Sequence, residues 1–282
     1  MVRCASAARA AVAAAILAAA LFGIVVAADS GFAKQPFIVL ASTTSTENSG
    51  LFAHILPRFE KQTGISVRVV AVGTGQAVRI AQRGDADVLL VHHRPSEERF
   101  VAEGFGTRRY DVMYNDFVIV GPKPAQSRGD NVVDALLRIA GDRRLFISRG
   151  DDSGTHKKEM ALWAAAGFDP RIASGTWYRE TGSGMGATLN VAAALGASTL
   201  SDRATWLSFA NKRNLEIQVS GDPILHNQYG VIPVNPARHP HVREGLAGDF
   251  VGWLLSGAGQ AAIASFRIHG QQAFFPNAGF AQ

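Results

Sequence analysis

The chain has 282 residues, of which 47% are hydrophobic and 18% are charged, and its formal net charge is +5 at pH 7. This mixed composition is typical of a soluble globular protein large enough for two domains, and it excludes a membrane channel. The basic residues stand singly or in pairs such as Arg108-Arg109, without the aromatic interleaving of a nucleic-acid surface, so we expect no nucleic-acid partner.

Residues 1–28 have the pattern of a secretory signal peptide. The chain carries no charge between Arg9 and Asp29, and small residues precede Asp29. An uncleaved membrane anchor is the alternative, because about 20 apolar residues span a bilayer, but the alanine-rich run and its small-residue end favour cleavage. Cys4, the only cysteine, precedes the apolar run, so we expect neither lipidation nor a disulfide in the exported chain.

Strand and helix patterns alternate along the rest of the chain, which predicts an α/β fold with largely parallel sheets. The repeat Leu51, Ile55 and Phe59 places one helix face on the core, and Pro57 is expected to kink or interrupt that helix. The predicted elements up to residue 120 are strand 37–40, a helix from about 49, strand 65–72, helix 75–83, strand 88–91, a helix from about 96, and strands 110–113 and 116–120. Those that follow are helix 132–140, strand 145–147, helices 156–166 and 185–195, strands 198–200, 215–219 and 229–234, and helices 242–255 and 260–266.

Two strands punctuated by proline, Phe117–Pro122 and Tyr229–Val234, flank the middle of the chain. They have the pattern of paired crossover strands that join two lobes. We therefore predict one lobe from residues 29–120 and 232–282 and a second lobe from residues 121–231. A cleft between the lobes is then the expected ligand site.

Four short segments combine hydroxyl groups or glycines with the start of a predicted helix, and three of them directly follow an apolar strand. Open α/β sheets hold ligands at the carboxyl ends of their strands. Free N–H groups at a helix start carry part of the helix dipole, and hydroxyls donate further hydrogen bonds, so these loops predict a site for a tetrahedral oxyanion. The segments are Ser42–Thr46, Gly73–Gly75, Arg149–Thr155 and Thr181–Gly186.

The candidate ligand contacts in these segments are hydrogen-bond donors. Arg149 can direct two N–H groups at one anion, and Asp151 and Asp152 are expected to orient it or to cap the following helix. A capped or glycine-containing turn is the simpler alternative for each loop. The predicted ligand-binding residues are Thr43, Thr44, Ser45, Thr74, Arg149, Ser153, Thr155, Gly184 and Gly186.

The sequence gives little support to a metal site or to catalysis. Adjacent residues such as His92 and His93 face opposite sides of a strand, and neither a second cysteine nor an H-x-E-x-H spacing accompanies them. The chain contains no G-x-S-x-G and no G-x-x-x-x-G-K-[ST] motif, so an α/β hydrolytic enzyme is a remote alternative. We expect no catalytic residue, no metal-cation ligand and no cofactor.

Taken together, the order and spacing of the motifs resemble the tungstate-binding proteins of ABC importers, within the type II periplasmic binding-protein fold. The resemblance covers essentially the whole mature chain. It implies two α/β lobes joined by a two-strand hinge, capture of tungstate in the periplasm, and delivery to an ABC transporter permease in the inner membrane; we expect a monomer. The matching motifs are Ser42–Leu51, Gly73–Ala77, Gly84–Val88, Asn115–Val118, Ser148–Thr155 and Gly182–Gly186.

Phosphate is the nearest competing ligand, because the segment from Arg149 to Thr155 also resembles the anion loop of phosphate-binding proteins. In that loop an aspartate accepts a proton from the monohydrogen anion. Tungstate has no proton to offer at neutral pH, so an Asp151 that faces the ligand would favour phosphate. Molybdate has nearly the same size, shape and charge as tungstate, and the sequence leaves the choice between them open.

Overall fold

A computed structural model describes residues 35–123 and 131–279, and it has the predicted α/β architecture. The signal peptide predicted for residues 1–28 lies outside the described residues. Among the residues described, no helix is both long and apolar enough to cross a bilayer. The strands are β1 (Phe37–Thr43), β2 (Ser66–Val72), β3 (Val88–Val91), β4 (Tyr110–Pro122), β5 (Phe146–Ser148), β6 (Tyr178–Glu180), β7 (Thr199–Asp202), β8 (Leu215–Val219), β9 (His226–Pro233), β10 (Arg267–Ile268), β11 (Gln271–Gln272) and β12 (Phe275–Pro276).

The helices alternate with these strands through most of the chain. They are α1 (Thr44–Asn48), α2 (Leu51–Thr63), α3 (Thr74–Gln82), α4 (Arg94–Ala102), α5 (Val132–Gly141), α6 (Gly154–Ala165), α7 (Met185–Leu195), α8 (Arg203–Ser208), α9 (Glu244–Leu255) and α10 (Gly257–Ser265). Two short 3₁₀ helices, Pro170–Ala173 and Pro223–Leu225, complete the set in the described part of the chain.

The main sheet combines parallel and antiparallel strands. β1 pairs in parallel with β2 and with β3, so that Thr43 lies opposite Val72 and Ser42 lies opposite Leu90. β9 pairs antiparallel with β3 and β4, and β4 also pairs antiparallel with β7 and β8. The expectation of largely parallel sheets is therefore wrong for this part, because the chain leaves along β4 and returns beside it along β9.

Two local predictions also need correction. Leu51, Ile55 and Phe59 are buried on one face of α2 as expected, but the helix runs on through Pro57 without interruption. Packing of the buried face on the core offsets the one hydrogen bond that proline cannot donate. The two strands expected between residues 110 and 120 form the single strand β4, whose register against β9 shifts between Asp111 and Met113.

The buried hydrophobic side chains pack in separate clusters along the sheet. One cluster surrounds β1, β3 and β9 and includes Phe52 and Phe250. Another joins the far part of β4 to β5 and β8 and includes Phe146 and Trp163. Ala204, which lies in the predicted second lobe, packs with the first of these clusters. The lobe boundaries near residues 120 and 231 stay a prediction.

Glu159 on α6 is a carboxyl group inside the second of these clusters. Only 2% of the residue is exposed, and it accepts a hydrogen bond of 2.7 Å from the Tyr178 hydroxyl. Burial raises the pKa of Glu159 from 4.5 to about 8. The folded chain therefore holds a proton here at neutral pH that the unfolded chain has released.

The free energy of unfolding should accordingly fall as the pH rises from about 4.5 to about 8, by ~1.4 kcal/mol per pH unit from this group. Glu159→Gln keeps the acceptor oxygen for Tyr178 but cannot titrate. The variant should therefore lose the contribution of one proton to the slope of the unfolding free energy against pH, which is ~1.4 kcal/mol per pH unit. Urea unfolding across that pH range measures the slope. Glu244→Gln, at an exposed position, is the control and should leave the slope unchanged. Equal slopes for the wild type and Glu159→Gln would contradict the assignment.

Candidate functional site

A narrow pocket lies where the carboxyl ends of β1, β2 and β3 meet the loop that follows β5. The parallel register brings the ends of β1 and β2 side by side, so that the start of α1 adjoins the start of α3. The loop between β5 and α6 closes the pocket from the other side. The residues that line it are Thr43, Thr44, Ser45, Val72, Gly73, Thr74, His92, Arg149, Ser153, Gly154 and Thr155. All the predicted site residues except Gly184 and Gly186 are thus brought together.

Arg149 is the cationic side chain of this lining and is only 3% exposed. Its Nη2 and Nε donate to Asp151 Oδ2 at 2.5 and 3.2 Å. Asp151 Oδ1 accepts from the Ser153 backbone N–H at 3.3 Å. Burial acts to raise the pKa of Asp151, but the hydrogen bonds from Ser153 and Arg149 outweigh it and hold that pKa below its usual value. The ionised carboxylate therefore orients Arg149.

Two of the pocket hydroxyls also cap helices. Ser153 Oγ accepts from the His156 N–H at 3.3 Å at the start of α6, and Thr43 Oγ1 accepts from the Thr46 N–H at 3.4 Å at the start of α1. A hydroxyl can accept one hydrogen bond and donate another at the same time. The capping role and a ligand-binding role are therefore compatible in these residues.

The hydroxyl of Thr155 is a buried pocket group without a hydrogen-bond partner in the described part of the chain. The residue is 1% exposed, and within the described part of the chain its buried Oγ1 has no hydrogen-bond partner. Leaving a buried hydroxyl unpaired costs roughly 1–3 kcal/mol. Because Thr155 lines the pocket, an acceptor bound there would remove this cost.

Gly154 brings the two walls of the pocket into direct contact. Its N–H donates to Thr74 Oγ1 at 3.0 Å, which ties the start of α6 to the start of α3. A Cβ at position 154 would lie 2.9 Å from Thr74 Oγ1 and 3.1 Å from His92 Cε1. Only glycine permits this approach without displacing a neighbour.

His92 belongs to the pocket, although the sequence suggested only an unsupported metal ligand there. It directly follows β3, and it is 7% exposed, with Nε2 3.4 Å from Ser45 Oγ. Burial lowers its pKa to about 4, so the ring is neutral at pH 7.

The neighbouring His93 does not share this position and instead forms a hydrogen bond with Ser96. Within the described residues, no group of three or more His, Cys, Asp or Glu side chains is arranged to hold a metal ion. The rule applied to β1 and β2 could have found His92, because β3 is the other parallel neighbour of β1.

The fourth predicted segment, Thr181–Gly186, contacts the backbone of Arg149. The Thr181 hydroxyl and the Ser183 N–H both donate to the Arg149 carbonyl oxygen at 3.3 Å. Gly184, the N-cap of α7, and Gly186 are not among the described residues that line the pocket. Their predicted ligand contacts stay a prediction.

The chemistry of the lining is that of an anion site. Of the described residues that line the pocket, none carries a carboxylate, whereas hydroxyls, helix-start N–H groups and one guanidinium converge on it.

A cleft of about 1210 Å³ adjoins the pocket and shares His92 and Gly154 with it. Arg108, Lys157 and Lys158 line that cleft. Its positive charge attracts anions towards the donors of the pocket.

Comparison with known proteins agrees with this geometry. The family model described as a PBP superfamily domain matches residues 9–258. A tungstate-binding protein TupA from Peptoclostridium acidaminophilum is 48% identical over 248 residues, which are 86% of this chain and 86% of the relative. The chain belongs to the TupA family of the PBP superfamily. The family resemblance inferred from the motifs is thereby confirmed.

Solved structures of TupA proteins share the fold. The tungstate-binding protein TupA from Desulfovibrio alaskensis matches with a TM-score of 0.76 at 47% identity, over 86% of this chain and 99% of that one. The tungstate ABC transporter structure from Geobacter sulfurreducens matches with a TM-score of 0.75 at 45% identity, over 82% and 98%. These matches confirm the fold class expected for a TupA chain, and the relatives are named for binding or transport rather than for catalysis.

The contact at Gly154 predicts how the pocket responds to one methyl group. Gly154→Ala should lower the affinity for tetrahedral oxyanions at least tenfold, because the new Cβ separates α6 from Thr74 and His92. Gly257→Ala is the matched control: Gly257 also stands first in its helix after a serine N-cap, and a Cβ there meets nothing within 4 Å. Calorimetric titration of both variants measures the effect. Unchanged affinity in Gly154→Ala would show that the contact does not matter for the pocket.

Proposed function

We propose that this protein is a periplasmic solute-binding protein that captures tungstate for an ABC importer. The observation that carries the proposal is the buried pocket that Arg149 and Thr155 both line: within the described residues its lining has no carboxylate, and the Thr155 hydroxyl has no hydrogen-bond partner. A dianion would accept from both groups, and the helix-start N–H groups would add to its stabilisation, because Asp151 already pairs with the guanidinium. Relatives that are 48% and 47% identical to this chain are named tungstate-binding proteins, and these names indicate tungstate as the anion.

The geometry favours tungstate over phosphate. A monohydrogen phosphate needs an acceptor for its proton, but both Asp151 oxygens are engaged by Arg149 and Ser153. Asp151 is also not among the described residues that line the pocket. A lining without a free carboxylate suits an anion with no proton. Molybdate meets the same description, so the proposal includes it as a weaker or equal ligand.

We further propose that the chain works as two lobes that close on the anion. The predicted lobes are residues 29–120 with 232–282, and residues 121–231. The antiparallel pair of β4 and β9 is the proposed hinge, and the hydrogen bond from Gly154 to Thr74 is a contact made on closure. The mature chain would be a monomer, exported by its signal peptide, that delivers tungstate to the membrane permease and needs no nucleic acid.

Catalysis is not part of the proposal. Ser45 Oγ and His92 Nε2, 3.4 Å apart, are the pair that a hydrolytic enzyme would use as nucleophile and base. A general base works best with a pKa near the operating pH, whereas the pKa of His92 is about 4. A binding protein returns its ligand unchanged, which product analysis after incubation would check.

Arg149 variants test the function directly. Arg149→Lys keeps a charge but loses the planar fork, so tungstate binding should weaken by roughly 1–3 kcal/mol. Arg149→Gln should cost more, because the dianion then keeps only neutral donors. Competition calorimetry with tungstate, molybdate, sulfate and phosphate measures both affinity and selectivity.

Arg171→Gln is the matched control for this series, since Arg171 pairs with Asp169 at the same two-residue spacing but on the exposed surface. It should bind tungstate like the wild type. Wild-type binding of phosphate in preference to tungstate would overturn the proposed ligand, and full-strength tungstate binding by Arg149→Gln would overturn the site.

A further inference from the structure

Charged side chains surround the hydrogen bond that joins the two walls of the pocket. The Gly154 N–H donates to Thr74 Oγ1 at 3.0 Å, and this bond connects the start of α6 to the start of α3. Next to it, Asp152 reaches from the loop before α6 to Gly75 of α3. A Cβ at Gly75 would lie 3.2 Å from Asp152 Oδ2, so the carboxylate lies against the first turn of α3.

Two cations lie at the same place, one from each wall. Arg79 Nη1 of α3 and Lys157 Nζ of α6 would be 3.4 and 3.9 Å from the same Cβ at Gly75. Lys157 Nζ is also 3.5 Å from Asp152 Oδ1. The Asp152 carboxylate is therefore close to positive charge on both sides of the contact.

Further positive charge surrounds this contact, as the environment of His93 shows. His93 lines the adjoining cleft. Burial and then the charge of Lys157 lower its pKa, Asp152 acts to raise it, and Arg99 and Lys158 lower it further. Arg99 belongs to α4, whereas both lysines belong to α6. Like charges of separate helices thus face one another here, and Asp152 is the acidic group among them.

The backbone around Asp152 leaves its carboxylate available for this contact. Its φ is 55°, in the left-handed region that aspartate and asparagine tolerate, and its N–H donates to His156 Nδ1 at 3.1 Å. The sequence suggested that Asp152 orients Arg149 or caps α6. Asp151 and Ser153 perform those two roles instead.

We propose that Asp152 is a positioning residue that neutralises the like charges of the two walls and thereby holds the pocket closed around its oxyanion. A single exposed ion pair contributes little, and the Asp152 side chain is 73% exposed. Here, however, loss of one carboxylate leaves the cations of α3, α4 and α6 facing one another without compensation. The inference rests on the proposed function for the identity of the ligand.

The effect of Asp152 on affinity distinguishes this role from a simple electric field. If Asp152 acted only through its charge, its removal would strengthen the binding of an anion nearby. If it holds the walls together, Asp152→Asn should instead weaken tungstate binding by about threefold to tenfold, the loss of one or two exposed ion pairs. Asparagine tolerates the same left-handed backbone, so the variant reports on the charge.

Calorimetric titration at low salt measures this affinity. Asp249→Asn is the control, because it removes the same charge at an exposed position of α9, and it should bind tungstate like the wild type. Unchanged or tighter binding by Asp152→Asn would overturn the inference.

A second substitution and added salt separate lost neutralisation from a general structural defect. Arg79→Gln removes one of the cations that Asp152 faces, so the double variant should bind tungstate more tightly than Asp152→Asn alone. At 1 M salt, where the Debye length is about 3 Å, Asp152→Asn and the wild type should bind alike. A double variant that binds more weakly than Asp152→Asn, or a deficit that persists at 1 M salt, would overturn the inference.

Hydrogen exchange of the Gly154 amide tests the contact without any ligand. In ligand-free Asp152→Asn this amide should exchange about threefold to tenfold faster than in the wild type, because its bond to Thr74 opens more often. The Gly259 amide, which donates to Ser256 Oγ at the start of α10, is the internal reference and should be unchanged. Equal exchange of Gly154 in the two proteins would overturn the inference. Failure of the proposed function would appear separately, as absent tungstate binding by the wild type.

Discussion

The buried ion pair between Arg149 and Asp151 is the interaction on which the pocket depends. A guanidinium that is 3% exposed would be very costly alone, and a partner at 2.5 Å makes its burial tolerable. The carboxylate uses its second oxygen on the Ser153 N–H, so the pair also fixes the loop that begins α6. Asp151 thus orients the cation of the proposed site.

The rest of the site adds donors around this pair without adding charge. Ser153 and Thr43 accept from helix-start N–H groups, which leaves the Ser153 hydroxyl proton able to donate to a ligand. Gly154 lets α6 approach Thr74 closely enough for a direct hydrogen bond. Burial of the lining residues strengthens each hydrogen bond to an anion, because the local dielectric is low. Selectivity can then follow from which groups donate and which accept.

Local sequence patterns were enough to predict most of the fold and much of the pocket. Hydroxyl and glycine loops after apolar strands identified Thr74, Arg149 and their neighbours, since strand ends converge in any parallel sheet. The patterns indicated paired strands near residues 120 and 230, but they could not show that β9 runs antiparallel to β4 or that β4 also pairs with β7 and β8, because partners far apart in the chain leave no local signal. His92 was missed although it directly follows β3, where the same strand-end rule would have placed it in the pocket. Gly184 and Gly186 share the loop pattern, yet their segment supports the Arg149 carbonyl.

The most direct measurement of the central claim is a crystal structure grown with tungstate, with anomalous scattering collected at a tungsten absorption edge. The account predicts one strong tungsten peak inside the pocket, with its oxygens within hydrogen-bond distance of Arg149 and Thr155. The account would be contradicted by a principal tungsten peak in the adjoining cleft beside Lys157 and Lys158. It would also be contradicted if crystals grown with saturating tungstate showed no ordered tungsten peak.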